Sequence, residues 1–211
     1  MLPGLGAATL SEVFAASPRD GGWTGLLLPQ LPKGRPWLWV QDRMAILESG
    51  RLYPPGLDAA DLIHVAARDA QGALWAMEEG LRCASIGAVI GELYGDPQAL
   101  DFTATRRLAV AAERHGVAAL LIRLGGHANL SGARFRWRVA SVPSLANRFN
   151  PRAPGAPAWE AELFRARGAQ PDRWTIVHEP GDGQESGNSA GFHLVAGAGN
   201  RALDEDRRAA G

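Results

Sequence analysis

Two almost wholly apolar runs, Ile86–Leu93 and Val117–Leu124, leave few folds open to this chain. A strand that is apolar at nearly every position, without polar alternation, is buried on both faces, the situation in the middle of a parallel sheet with helices on either side. Between the runs, Asp101 predicts the cap of a helix reaching His115, with Arg114 and His115 in its last turn and Gly116 as its stop. Upstream, from Asp69 to Ser85, the residues Ala70, Ala73, Leu74, Met77, Leu81 and Ala84 recur at three- and four-residue steps and predict a second helix, with Glu78 and Arg82 paired on another face. The rest of the first half continues the alternation. Leu10–Phe14, Pro36–Val40 and Leu62–Val65 read as strands, Gly21–Leu28 as a short helix stopped by Pro29, and Asp42 as the cap of a helix through Glu48 that Gly50 ends. The expectation is an α/β fold with a mostly parallel, twisted sheet flanked by helices.

After residue 125 the pattern changes. Gly125, Gly126 and Gly132 bracket a loop, and Arg134–Ser141, Trp159–Arg167 and Trp174–Glu179 alternate polar with apolar residues, which predicts C-terminal antiparallel strands. Residues 180–191 are too rich in Gly, Ser and acidic or amide side chains to fold alone and are expected to be a mobile loop. Residues 192–198 read as a last strand and 199–211 as a disordered tail, so residues 1–179 form the one expected domain.

Arginine and lysine together balance the acidic residues at 22 each, so no overall field draws the chain to nucleic acid or an anionic membrane. No apolar run approaches the roughly 20 residues of a membrane span, and the N-terminus lacks the charge pattern of a secretory signal; the expected location is the cytoplasm. A lone cysteine, Cys83, excludes an internal disulfide and is read as a small packing residue inside a helix. His64, His115, His127, His178 and His193 show no metal-ligand spacing, and no serine lies in a nucleophile elbow. No catalytic residue, cofactor site or metal site is therefore expected.

The order of elements, with the runs Leu74–Arg123, Phe135–Ser144 and Glu162–Trp174, resembles the ImuA family. The patterns WxxEExLR, from Trp75 to Arg82, and DPxxLDxTxxRRL, from Asp96 to Leu108, carry the resemblance, which extends from about Leu10 to Glu179. It implies a RecA-like core and a place in an SOS mutagenesis cassette. The implied partners are ImuB, an inactive polymerase-like adaptor, and an error-prone C-family DNA polymerase, in translesion synthesis after DNA damage. Self-association and weak or indirect contact with DNA are further expectations.

A phosphate-binding loop needs a lysine between the first strand and the first helix, backed by amides that cradle the phosphates. Here Phe14–Leu28 contains glycines and Thr24 but no lysine, and the sole lysine of the chain, Lys33, lies beyond the helix. Arg19 cannot take the compact position of a lysine ammonium. Glu92, ending the run Ala88–Glu92, falls where the RecA pattern has its acidic residue, and reads as a carboxylate held by loop N–H groups. The expectation is an accessory protein without ATP hydrolysis; the alternatives are a SulA-like cell-division inhibitor and a degenerate RecA-type ATPase.

Candidate partner-binding residues follow from charge and aromatic placement. A period of two puts Arg134, Arg136 and Arg138 on one face of their strand and Phe135, Trp137 and Val139 on the other. Such a row fits a phosphate backbone or an acidic partner, unless Glu160 and Glu162 on the neighbouring strand neutralise it. Arg106 and Arg107 stand near a helix start, where Asp101 and Asp96 are expected to compensate them. Of the seven tryptophans, Trp23 is expected at a loop tip as an interface anchor, in the space a nucleotide no longer fills. The short loop Gly125–Gly132 corresponds, on the RecA resemblance, to a region near DNA.

Overall fold

The computed structural model describes residues 2–53, 61–147, 150, 152–179 and 191–197. The described elements run β1 (Leu10–Ala15), α1 (Trp23–Leu27), β2 (Trp37–Gln41), α2 (Arg43–Ser49), β3 (Leu62–Ala66), α3 (Ala70–Leu81), β4 (Ala88–Tyr94), α4 (Phe102–His115), β5 (Ala118–Leu124), β6 (Phe135–Val142), β7 (Ala158–Ala166), β8 (Asp172–Glu179) and β9 (Gly191–Gly197). They build one sheet in the order β3-β2-β4-β5-β1-β6-β7-β8-β9. From β3 to β6 every neighbouring pair is parallel. From β6 to β9 every pair is antiparallel. This is an α/β fold with a RecA-like core. The two apolar runs lie side by side near its middle, and all seven residues of β5 are buried.

Each face of the sheet has its own core. On one, Val13, Trp39, Ile90, Leu120 and Trp137 lie beneath Trp23, Leu26 and Leu27 of α1, Ala45 of α2, and the N-terminal Leu2 and Leu5. On the other, Val40, Val89 and Leu121 meet Ala73, Met77 and Leu81 of α3 and Leu108, Ala109 and Ala112 of α4. Three aspartates start the longer helices, because a short carboxylate can reach the free amide three residues on. Asp42 accepts from Ala45 N at 2.6 Å, Asp69 from Gly72 N at 2.8 Å and Asp101 from Ala104 N at 2.7 Å. Gly116, at φ 70°, ends α4 in the left-handed conformation.

Three expectations are corrected. First, β6 is not purely antiparallel: it pairs in parallel with β1 and antiparallel with β7, joining the two halves of the sheet. Second, α3 stops at Leu81 because a turn, Ile86 N to Cys83 O at 3.0 Å, feeds β4; Cys83 and Ala84 are exposed rather than packed. Third, Pro29 does not stop the first helix outright, since Leu28–Gln30 continues it as a 3₁₀ turn. The last strand is present as β9, whereas the expected loop, Gly191 apart, and the expected tail lie outside the described residues. Among the described residues no helix is long and apolar enough to cross a membrane.

Candidate functional site

In a RecA-like core the functional end is the carboxyl edge of the parallel strands, where β1, β2, β4 and β5 open into loops. The junction after β1 is folded tightly against its surroundings. Asp20 is its centre: Oδ1 accepts from Gly22 N at 3.0 Å and from Ser141 Oγ at 2.6 Å, while Oδ2 accepts from Ser141 N at 2.8 Å. Burial alone would push the Asp20 carboxyl up, but the bonds from the Ser141 hydroxyl and amide and the Gly22 amide outweigh it and hold the group below its ordinary value. Gly22 is required here, because a Cβ would lie 1.9 Å from Ser141 Oγ. The next amides are also engaged, Thr24 N with Gly21 O and Gly25 N with Gly22 O, both at 3.1 Å. Ser49 Oγ donates to Pro18 O at 2.7 Å and ties the loop to the end of α2.

Beside this loop Trp23 is 4% exposed, and its ring packs on Trp39 with centroids 5.8 Å apart. The expected interface anchor is thus a core residue: α1 begins at Trp23, which turns the indole inward. Trp39 Nε1 donates to Glu92 Oε1 at 2.5 Å, and Gln41 Nε2 donates to Glu92 Oε2 at 3.2 Å. Glu92 is therefore held by side chains, not by the loop amides expected of it. It is 4% exposed, and burial pushes its carboxyl up to about 7, against the pull of those two hydrogen bonds and with a smaller push from Asp42. Gln41 relays the network outward, its Oε1 lying 3.0 Å from His64 Nε2 and accepting from Leu52 N at 3.0 Å. Burial lowers His64, and Arg51 adds to the effect.

The opposite face of the same edge is ionic. Glu12, fully buried in the middle of β1, accepts from Arg123 Nη1 at 2.8 Å and from Arg136 Nε at 2.7 Å. Arg123 also donates to Asp96 and to Gly95 O, and Asp96 in turn takes the His127 amide at 2.9 Å and lies 2.6 Å from His127 Nδ1. Phe14 lies between two guanidinium groups, Arg123 at 5.4 Å and Arg136 at 5.3 Å from its centroid. Phe164 continues the stack with Arg136 at 5.3 Å and Arg138 at 4.1 Å. The alternation expected of Arg134, just before β6, and of Arg136 and Arg138 within it holds, but Arg136 is buried and drops out as a surface candidate. Arg134 is paired with Glu113 of α4 at 2.6 and 3.0 Å, and Arg138 with Glu162 at 2.9 Å. Glu160 binds Arg173 instead.

Arg106 and Arg107 are exposed on α4, although their expected compensation is wrong: Asp101 caps the helix, Asp96 serves Arg123, and Arg107 pairs with Glu78 of α3. Lys33, the sole lysine of the chain, is exposed at the other end of the sheet. Its neighbours place it there, since Trp37 at the start of β2 donates to Pro32 O at 2.8 Å, and Gly87, just before β4, abuts Arg35. Among the described residues no group of three His, Cys, Asp or Glu side chains is placed to hold a metal ion.

The chain is 34% identical over 162 residues to Protein ImuA of Caulobacter vibrioides, in strain NA1000 and in strain ATCC 19089 alike, an alignment covering 72% of this chain and 64% of the relative. The chain belongs to the ImuA family. It spans 64% of the length of the curated relatives it matches. No protein-family model matches it. In this ImuA-family chain the sequence also missed Glu12, the carboxylate on which two buried arginines, Arg123 and Arg136, converge; the available signal was Arg123, a charge inside an otherwise apolar run.

Proposed function

We propose that this chain is a non-catalytic accessory protein of an SOS mutagenesis cassette, working in the cytoplasm with an ImuB-type adaptor and an error-prone C-family polymerase in translesion synthesis. The reading of what it does not do rests on Asp20. A carboxylate of the chain itself takes the Gly22 amide at the start of α1, where a nucleotide phosphate would need free donors. An added phosphate would meet that negative charge, with the only lysine at the far end of the sheet. Trp23 and Trp39 fill the adjoining space above Glu92, which favours a holding role over turnover. The membership in the ImuA family supports the cassette and its partners.

Two measurements test this. Titration calorimetry with Mg·ATP is expected to give no heat at micromolar protein, and phosphate release is expected to equal that of Glu92→Gln. Co-purification from cells expressing all three proteins is expected to recover the adaptor or the polymerase with the chain. Micromolar nucleotide affinity, or turnover above the Glu92→Gln control, overturns the first half; recovery of neither protein overturns the second.

A further inference from the structure

The chain is electrically balanced as a whole, yet its arginines are not evenly spread. Along the outer face of α4, Arg106, Val110 and Arg114 recur at four-residue steps, so their side chains form one exposed stripe. A cleft flanks this ridge on each side, and Arg106 and Val110 line both. The first, about 620 Å³, lies between α4 and the ends of β6 and β7 and adds Arg134, Arg165 and Arg167, with no acidic lining residue among the described residues. The second, about 290 Å³, lies between α4 and α3 and adds Arg82, Arg107 and Arg114 against a single carboxylate among the described residues, Glu78.

Pairing inside the chain accounts for only part of this charge. Arg134 is matched by Glu113, while Arg82 and Arg107 share Glu78, with Glu79 also on Arg82. Arg106, Arg114 and Arg165 have no ion pair among the described residues. Like charges crowded on one surface repel, and an anion supplied from outside relieves that cost. The floor of the larger cleft is already set. Gly132 N donates to Thr105 Oγ1 at 2.9 Å, and the loop passes so close that a Cβ on Gly132 would lie 2.6 Å from the Arg106 backbone. Apolar side chains stand among the arginines: Phe102 at 40% exposure and Val110 at 48%, with Trp75 at 66% in the adjoining groove of α3 and α4.

From this we infer that the α4 surface seats an acidic segment of a partner protein in which carboxylates alternate with apolar side chains. The carboxylates meet the unpaired guanidinium groups, for which forked pairing is available, and the apolar residues meet Phe102, Val110 and Trp75. A nucleic-acid backbone fits less well, because Glu78, Glu113 and Asp101 stand within the same surface and oppose a continuous row of phosphates. The inference rests on the reading of the chain as an accessory protein and names the surface by which it is held.

The test uses the full chain, the Arg106→Glu/Arg165→Glu double variant, Val110→Asp, and Arg43→Glu on exposed α2 as a charge-reversal control. Thermal melts first establish that all four are folded. Three probes are titrated by fluorescence anisotropy: the ImuB-type adaptor, a synthetic peptide alternating Glu–Glu with Leu–Leu, and a 30-nucleotide oligo-dT. The expected result is adaptor and peptide binding that weakens as salt rises, falls by about tenfold or more in the double variant and in Val110→Asp, and is unchanged in Arg43→Glu. Adaptor and peptide binding indifferent to the α4 substitutions overturns the inference and leaves the proposed function standing. Binding of oligo-dT alone, lost in the double variant, overturns it in favour of nucleic acid. Peptide binding at α4 with no adaptor binding upholds the surface and counts against the proposed adaptor; failure of all three probes on the wild-type chain overturns the surface.

Discussion

Glu12 and Glu92 are both buried near the carboxyl edge of one sheet, one on each face, and they have opposite environments. Glu12 lies between Arg123 and Arg136 with further acidic support from Asp96, so charge is met by charge within a few ångströms. Among the described residues Glu92 has only neutral donors, an indole and an amide, and its carboxyl is pushed up to about 7. The first arrangement ties β1, β5 and β6 together through ions that cannot be left alone in the interior. The second leaves a group whose protonation changes near neutrality. A buried acid at a strand end is thus structural cement on one face and a source of pH dependence on the other.

Glu12→Gln should break this contrast most severely, because it leaves two buried guanidinium groups without their shared anion. A loss of about 3–5 kcal/mol is expected, read as a fall in the urea midpoint of unfolding. An unfolding midpoint within error of wild type would mean that water or the Phe14 and Phe164 rings carry those charges instead.

Glu92 gives the next effect. Its carboxyl has an ordinary value of 4.5 once unfolded and about 7 when folded, so between those values the folded chain holds a proton that the unfolded chain has lost. The stability due to this group is full below about 4.5 and declines as pH rises to about 7, by on the order of 3 kcal/mol. His64, lowered in the fold, works in the opposite sense, losing stability as pH falls through its ordinary 6.5. Subtracting the pH profile of Glu92→Gln from that of wild type isolates the carboxylate; a flat difference between pH 5 and 8 would remove the contrast with Glu12.

Asp20→Ala removes the carboxylate from the junction after β1 and frees the Gly22 and Ser141 amides, at an expected cost of about 1–2 kcal/mol. Amide exchange at Gly22 should accelerate while the β5 amides stay protected. The smallest effect is expected of Arg138→Ala. Its pair with Glu162 is half exposed, so about 0.2–1 kcal/mol is lost, and less in high salt. This variant measures what the same combination of ion pair and ring contact, here with Glu162 and Phe164, contributes outside the interior that holds Glu12.

Much of the architecture was legible in the sequence because it rests on periodicity. Both-face burial of β4 and β5, the stripes of α3 and α4 and the three aspartate caps all depend on residues close together in the chain. The direction of β6 relative to β1 does not: alternation tells which way side chains point, not which strand lies alongside or how it runs. The same holds at the carboxyl edge. Glu12 and Arg136 are 124 residues apart, so their pairing left no local trace, and a lone charged residue in β1 did not tell where its partner lay. Trp23 was misplaced because its orientation depends on where α1 begins, and Cys83 because a turn ends α3 one residue before Arg82.

That turn also has a practical corollary. Cys83, the sole thiol of the chain, is exposed and follows directly on Arg82, which lines the smaller arginine cleft. Maleimide coupling would attach one dye per molecule at the rim of the α4 surface without any engineered site. Its quenching or spectral shift on mixing would then give the occupancy of that surface in real time, in the wild-type protein.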